Sequence, residues 1–285
     1  SSHPLQDSEL TRQLLQLCRA GIQLDSRETW PLPETTTTGG WLGTTWHQGH
    51  PYNQLCPLDP QTGERSLVGC LALAAGQLIN FHQHIGALQL NAGDVYSSGV
   101  VDIDADHAEF DFPSFSDLNA DLAALQQNGF NNESPTPKHI AALCFAAGIL
   151  LETKFGSTVS TSGRQIAGLL RERFSYPSAR QEPYSESALQ SLKRNICQGL
   201  PGMLIIPGHA VVVDGYCSDG FFHVNYGWGT DEPTGILDAW FRLAPPERDM
   251  VTEQIVFEIM PEQTRPQLAA SPPSLTCPAF TVGEW

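Results

Sequence analysis

Seven cysteines and nine histidines supply the candidate nucleophiles and bases of this chain, and position singles out one pair of them. Cys70 follows Val68-Gly69 and opens the apolar run CLALAAGQLINFHQH, which predicts a helix over residues 70–84 buried on most of its circumference. A thiol at a helix N-terminus sits among unpaired backbone N–H groups and the positive end of the dipole. Both lower its pKa and favour the nucleophilic thiolate. Gly69 lets another backbone, or a substrate, come close. Taken alone, Cys70 is read more plainly as a core cysteine starting a buried helix.

His209 changes that balance. It stands in Pro207-Gly208-His209-Ala210, at the mouth of an expected strand. A histidine at a strand end can meet a helix-terminal cysteine, because a Cys–His pair needs only spatial adjacency. The plainer reading is a histidine that merely caps a strand. Two further pieces fit the same chemistry. The amide of Gln48 can donate to a developing oxyanion beside the backbone N–H of Cys70. In His223-Val224-Asn225-Tyr226-Gly227-Trp228-Gly229, Asn225 can hold an imidazole in position, while Trp228 shields that hydrogen bond from water. Asn225 and Trp228 could equally finish a β-turn.

The other thiols, Cys18, Cys56, Cys144, Cys197, Cys217 and Cys277, form no C-x-x-C pair and no Cys/His cluster of zinc spacing. They read as small buried hydrophobes, and the odd total leaves one unpaired in any intrachain disulfide scheme. His82 and His84 form an H-x-H without an acidic third ligand, and His47 and His50 are weaker still. No metal or cofactor is implied.

The elements that must position these residues change character along the chain. An amphipathic helix with Leu10, Leu14, Leu17 and Cys18 on one face is expected first, followed by a Pro/Thr/Gly-rich connector to Gly40. After the Cys70 helix come helices marked by Leu118, Leu122 and Leu125, by Pro137 with Ile140, Leu143, Cys144 and Ala147, and by Ile166, Leu169, Leu170 and Phe174. A last helix over 185–197 stops at Gly199. Strands are predicted at 203–206, 209–216, 220–226, 236–243 and 253–260, with Ser218-Asp219-Gly220 as a tight hairpin. Helices first and antiparallel strands later predict an α+β protein with two unlike halves. The tail from Pro261 is Pro-rich.

Composition narrows the partners. The 285 residues are 41% hydrophobic, ample for a large core, and 31 acids against 15 bases give a formal charge of −16. That field argues against a nucleic-acid or anionic-membrane partner. No apolar run approaches the roughly 20 residues that cross a bilayer. The first residues lack the charged-then-apolar pattern of a signal peptide.

Taken together, the motifs resemble the streptopain family of cysteine peptidases. Trp46-His47-Gln48, Pro51-Tyr52-Asn53 and Val68-Gly69-Cys70 are similar to its W-x-Q-x-x-P-Y-N and G-C-V-A-T-A patterns. Gly208-His209-Ala210-Val211-Val212-Val213-Asp214-Gly215 resembles G-H-A-x-V-x-D-G, and His223 to Gly229 resembles H-V-N-W-G-W-G. The likeness runs in register from about Trp41 to Met260. It implies a papain-like fold in which a helical half carries the nucleophile, an antiparallel β half carries the histidine, and a cleft lies between them.

The resemblance further implies a secreted or periplasmic endopeptidase acting on protein or peptide substrates. Cys70 would be the nucleophile and His209 the base, with Gln48 in the oxyanion hole and Ser160 and Gly208 along the substrate cleft. Residues 1–40 become an N-terminal extension, either a propeptide remnant lying over or beside the cleft or a different extension whose helix braces the far side of the domain. Residues 41–260 become the catalytic domain and 261–285 a tail. Three departures stand out: Tyr226 replaces the usual Trp, the stretch 203–207 before His209 is short, and residues 1–40 are short for an inhibitory propeptide. The alternatives are another thiol acyl-transfer enzyme, amidase or transglutaminase-like, and a catalytically silent peptide-binding module.

Overall fold

The computed structural model describes residues 40–99, 101–130, 135–157, 162, 165–217, 220–229, 239–244 and 250–262. The expected first helix, the Pro-rich tail, Ser160, and parts of the 218–220 hairpin and the 236–243 strand lie outside these residues.

Helix α1, Cys70–His82, starts without a side-chain cap at Gly69, and residues Ala72 to Ile79 are all buried. It ends short of residue 84 because Gln83 turns left-handed and closes the last carbonyls. Helix α2, Phe115–Ala124, is capped by the Ser114 hydroxyl, which accepts from Asp117 N–H, and runs into a π-turn at Leu125–Gly129. Helix α3, Pro137–Leu150, has Thr136 as its cap and proline in its first turn. It is buried from Ala141 to Leu150, on every face, because it forms the centre of the helical half. Where α3 crosses α1, a Cβ on Gly76 would stand 3.1 Å from Cys144 Sγ. Helix α4, Ile166–Arg173, completes this half.

Strand β1, Arg180–Pro183, is an element the sequence patterns do not reveal; its residues are polar because it lies at a sheet edge. Helix α5, Glu186–Cys197, follows, with the Ser185 hydroxyl accepting from Ala188 N–H. The remaining strands are β2 (Gly202–Ile206), β3 (His209–Tyr216), β4 (Phe222–Asn225), β5 (Ala239–Phe241), β6 (Leu243–Ala244), β7 (Met250–Val251) and β8 (Gln254–Phe257). Five of these join β1 in one six-stranded antiparallel sheet of order β1-β8-β2-β3-β4-β5, while β6 and β7 pair in parallel.

The sheet is buried on both faces by two different partners. Met203, Val212 and Val256 join the core of the helical half. Their strand neighbours Leu204, Val211, Val213 and Ile255 face Ala188, Leu192 and Ile196 of α5 instead. This is the two-residue alternation of a strand, and each large aliphatic chain so buried stabilises by roughly 1.5–3 kcal/mol. Trp41 and Leu42 form a strap over this sheet. Trp41 N–H donates to the Asp214 carbonyl at 3.0 Å, Leu42 N–H to Asp214 Oδ2 at 2.7 Å, and the Trp41 indole to the Ile196 carbonyl at 2.7 Å. The mixed helical and antiparallel architecture, with its two unlike halves, is the α+β fold expected.

Candidate active site

The first turn of α1 and the first residue of β3 meet where the two halves join. Cys70 hydrogen-bonds to the His209 ring and to the backbone N–H groups of Ala210 and Leu71. Both side chains are half-buried. Burial is the largest influence on Cys70 and pushes the thiol up, but the His209 charge and these three hydrogen bonds together hold it below its ordinary value. Burial likewise pushes His209 down. The Cys70 charge, its hydrogen bond and the Tyr226 carbonyl outweigh that, and the imidazole is raised. Each shift favours the charged form of its own group, the direction that a thiolate beside an imidazolium requires.

The tautomer follows from the second hydrogen bond of the ring. His209 Nε2 lies 2.9 Å from the carbonyl oxygen of Tyr226, which can only accept, so Nε2 carries a proton. Nδ1 is thereby left for the sulfur. The aromatic residues stack around this bond: the Tyr226 ring is 6.2 Å from the imidazole and nearly parallel to it, and the Trp228 ring is 5.4 Å away.

Asn225 sits one residue from that carbonyl, with its side chain directed elsewhere. Its Nδ2 donates to the Thr44 carbonyl at 2.8 Å and to Gln77 Oε1 at 3.3 Å, and its Oδ1 accepts from Gly227 N–H at 2.9 Å. The atom that meets the imidazole therefore belongs to the main chain of Tyr226. A substitution of side chain at 226, such as the Tyr found here, leaves such an acceptor in place.

Gln48 lies on a loop tied to both halves. Its carbonyl accepts from Val68 N–H at 3.1 Å, next to the start of α1, and its neighbour His47 bridges Trp228 as an antiparallel pair. Gly208 is exposed and left-handed, φ 71°, in the turn that joins β2 to β3. The register Ile206↔His209 explains the short stretch before the histidine: residues 202–206 are a strand, and the turn is the tightest that a hairpin allows. Trp228 and Gly208 thus lie on either side of His209 along the chain, while Ser160 lies outside the described residues.

Other polar groups escape a reading of motifs. Thr44 Oγ1 donates to Gln77 Oε1 at 2.6 Å, and His223 Nδ1 meets Asp214 Oδ1 at 2.5 Å as a buried pair farther along β3. The signal for Gln77 is an amide inside the apolar run Leu71–Ile79. His82 and His84 both turn their rings toward the edge or face of Tyr176, and among the described residues no group of three His, Cys, Asp or Glu could hold a metal ion.

A cysteine at a helix start facing a strand-end histidine, across unlike α and β halves, defines a papain-like protein. Two structures of interpain A from Prevotella intermedia share the fold. A prointerpain A fragment aligns with a TM-score of 0.58 at 21% identity, covering 89% of this chain and 85% of that one. Active wild-type interpain A gives 0.54 at 22% identity, covering 82% and 98%.

The chain belongs to the Peptidase C10 family, whose model matches residues 46–241. It is 28% identical to streptopain of Streptococcus pyogenes over 228 residues, 70% of this chain and 54% of that protein. It is also 27% identical to the thiol protease/hemagglutinin PrtT of Porphyromonas gingivalis over 201 residues, 65% of this chain and 22% of that protein. The chain thus spans about half the length of streptopain, and less of PrtT.

Proposed function

We propose that the protein is a cysteine endopeptidase working through a thioacyl intermediate. The observation that carries this reading is the Cys70–His209 hydrogen bond, with the thiol lowered and the imidazole raised. The Cys70 sulfur attacks the scissile carbonyl carbon, forming a C–S bond and an oxyanion. The Cys70 backbone N–H and the Gln48 amide donate to that oxyanion. Imidazolium Nδ1–H then protonates the leaving amine as the C–N bond breaks. Neutral His209 next takes a proton from water, whose oxygen attacks the thioester and displaces the sulfur. Gly208 and Ser160 border the substrate, Trp228 covers the imidazole, and Asn225 holds the turn beside it.

The catalytic unit spans residues 41–260. The tie of Trp41 and Leu42 to Asp214 supports its N-terminal limit. Residues 1–40 act as a pro-segment that packs on this unit and reduces access to Cys70, and 261–285 form a tail. The alignment of 89% of this chain with a structure named as a pro-form supports the first part. Secretion is proposed on the likeness to streptopain. Among the described residues no helix is long and apolar enough to cross a membrane.

The test is mass spectrometry after incubation with an epoxide inhibitor of cysteine peptidases, alongside hydrolysis of a denatured protein substrate. One adduct, on Cys70, with loss of hydrolysis is the expected result. Adducts spread over several cysteines, or hydrolysis by a Cys70→Ala chain, would overturn the assignment.

A further inference from the structure

Gln77 lies seven residues after Cys70 on α1, almost two full turns, so the two side chains share one face about 10 Å apart along the axis. That face looks toward the β half. Gln77 is 1% exposed, and a buried amide in an apolar helix is retained only where its hydrogen bonds are made. Its Oε1 accepts from Thr44 Oγ1 at 2.6 Å and from Asn225 Nδ2 at 3.3 Å.

The amide orientations are fixed by their surroundings. The Asn225 atom facing the Thr44 carbonyl must be nitrogen, and its partner atom, facing Gly227 N–H, must be oxygen. The Gln77 atom meeting that nitrogen is therefore its oxygen. Asn225 Oδ1 in turn closes a turn around Tyr226, the residue whose carbonyl receives His209 Nε2. Gly227 ends this turn at φ 66°, pressed against α1 so closely that a Cβ there would stand 2.8 Å from Leu73 Cδ2.

We infer that Gln77 is a positioning residue for the dyad, an amide clamp that holds the Asn225–Gly227 turn, and with it the Tyr226 carbonyl, at a fixed distance from the helix bearing Cys70. The nucleophile and the acceptor that orients its base are thereby referred to one helix. Without the clamp the carbonyl drifts, the imidazolium loses an acceptor, and His209 protonates less readily. Burial pushes His209 down, and the groups that raise it against that burial are Cys70 and this carbonyl. The inference rests on the acyl-transfer reading above.

The test compares the full chain with Gln77→Met, of similar length but without the acceptor, and Gln77→Glu, which keeps an acceptor oxygen. Peptide hydrolysis, Cys70 alkylation by iodoacetamide and Tm are followed across pH. Gln77→Met is expected to lower kcat roughly 100-fold with little change in KM. Its alkaline limb moves to lower pH, and Cys70 alkylation near pH 6 slows. Gln77→Glu recovers most of the turnover and the position of the limb. An unmoved limb in Gln77→Met, whether with native turnover or with a loss that merely follows Tm, would overturn the inference. Hydrolysis by Cys70→Ala would instead fault the acyl-transfer reading itself.

Discussion

The carbonyl oxygen of Tyr226 lies 2.9 Å from Nε2 of His209, and the amide of the preceding residue, Asn225, turns away from the imidazole to close the turn that presents this carbonyl. A main-chain acceptor cannot be removed by substitution at its own position, so the turn itself must be perturbed. Asn225→Asp keeps the oxygen that accepts from Gly227 N–H, but sets a carboxylate against the Thr44 carbonyl and Gln77 Oε1, two atoms that can only accept. We expect a stability loss of about 1–3 kcal/mol, read by chemical denaturation, together with reduced turnover. Native stability in this variant would show that the Asn225 donor bonds carry no weight.

Cys70 is expected to react fastest of all the cysteines with iodoacetamide near pH 6, where ordinary thiols of pKa about 8.5 stay protonated. Cys56 and Cys144 give the contrast: both are fully buried and both are pushed up, chiefly by that burial. His209→Ala should move Cys70 labelling to higher pH, since it removes the charge and hydrogen bond that lower the thiol. Uniform slow labelling of every cysteine in the parent chain would remove the dyad.

Gln48→Ala deletes a donor used mainly in the transition state, so turnover should fall by roughly 10- to 1000-fold while Cys70 alkylation stays near its parent rate. The carbonyl that binds Val68 N–H survives the substitution, because it belongs to the main chain. Stopped-assay kinetics on one peptide, with active-site titration, separate the two readouts. Unchanged turnover would reduce Gln48 to a structural residue.

Acid stability should depend on His82. Burial, its largest influence, pushes this imidazole down to about 4, and His84 adds to that while an Ile259 backbone hydrogen bond opposes it. A group depressed in the folded state binds its proton more readily when unfolded. Its stabilising effect is therefore complete above pH 6.5 and is lost as pH falls toward 4. The loss is up to about 3 kcal/mol. Denaturant midpoints measured between pH 7 and 4 should fall less steeply in His82→Phe than in the parent; parallel slopes would exclude His82.

Gly40→Ala tests the strap where it lies against the β half. A Cβ there would stand 2.4 Å from His223 Nδ1 and 2.5 Å from Asp214 Oδ2, on a backbone at φ 102°. A cost of roughly 1–3 kcal/mol is expected in thermal or chemical denaturation. Gly43→Ala, where nothing lies within 4 Å, serves as the control and should be silent.

Elements whose patterns are local can be read from the residues alone. The apolar run after Cys70, the cap and proline of α3, and the alternating strand from His209 all depend on neighbours within a few residues, so their placement needs no fold. Cys70 and His209 were legible as candidates for the same reason: each stands at the end of its element, where side chains reach a junction. The polar edge strand β1 was not legible, because its pairing with β8 joins residues far apart in the chain. Which atom faces the imidazole depends on long-range packing. Asn225, the candidate by type, and Tyr226, the residue that supplies the acceptor, are adjacent, and a strand alternates its faces at every residue. That choice was settled by the turn packed on Leu73 and by the clamp from Gln77, contacts between halves separated by about 150 residues of chain.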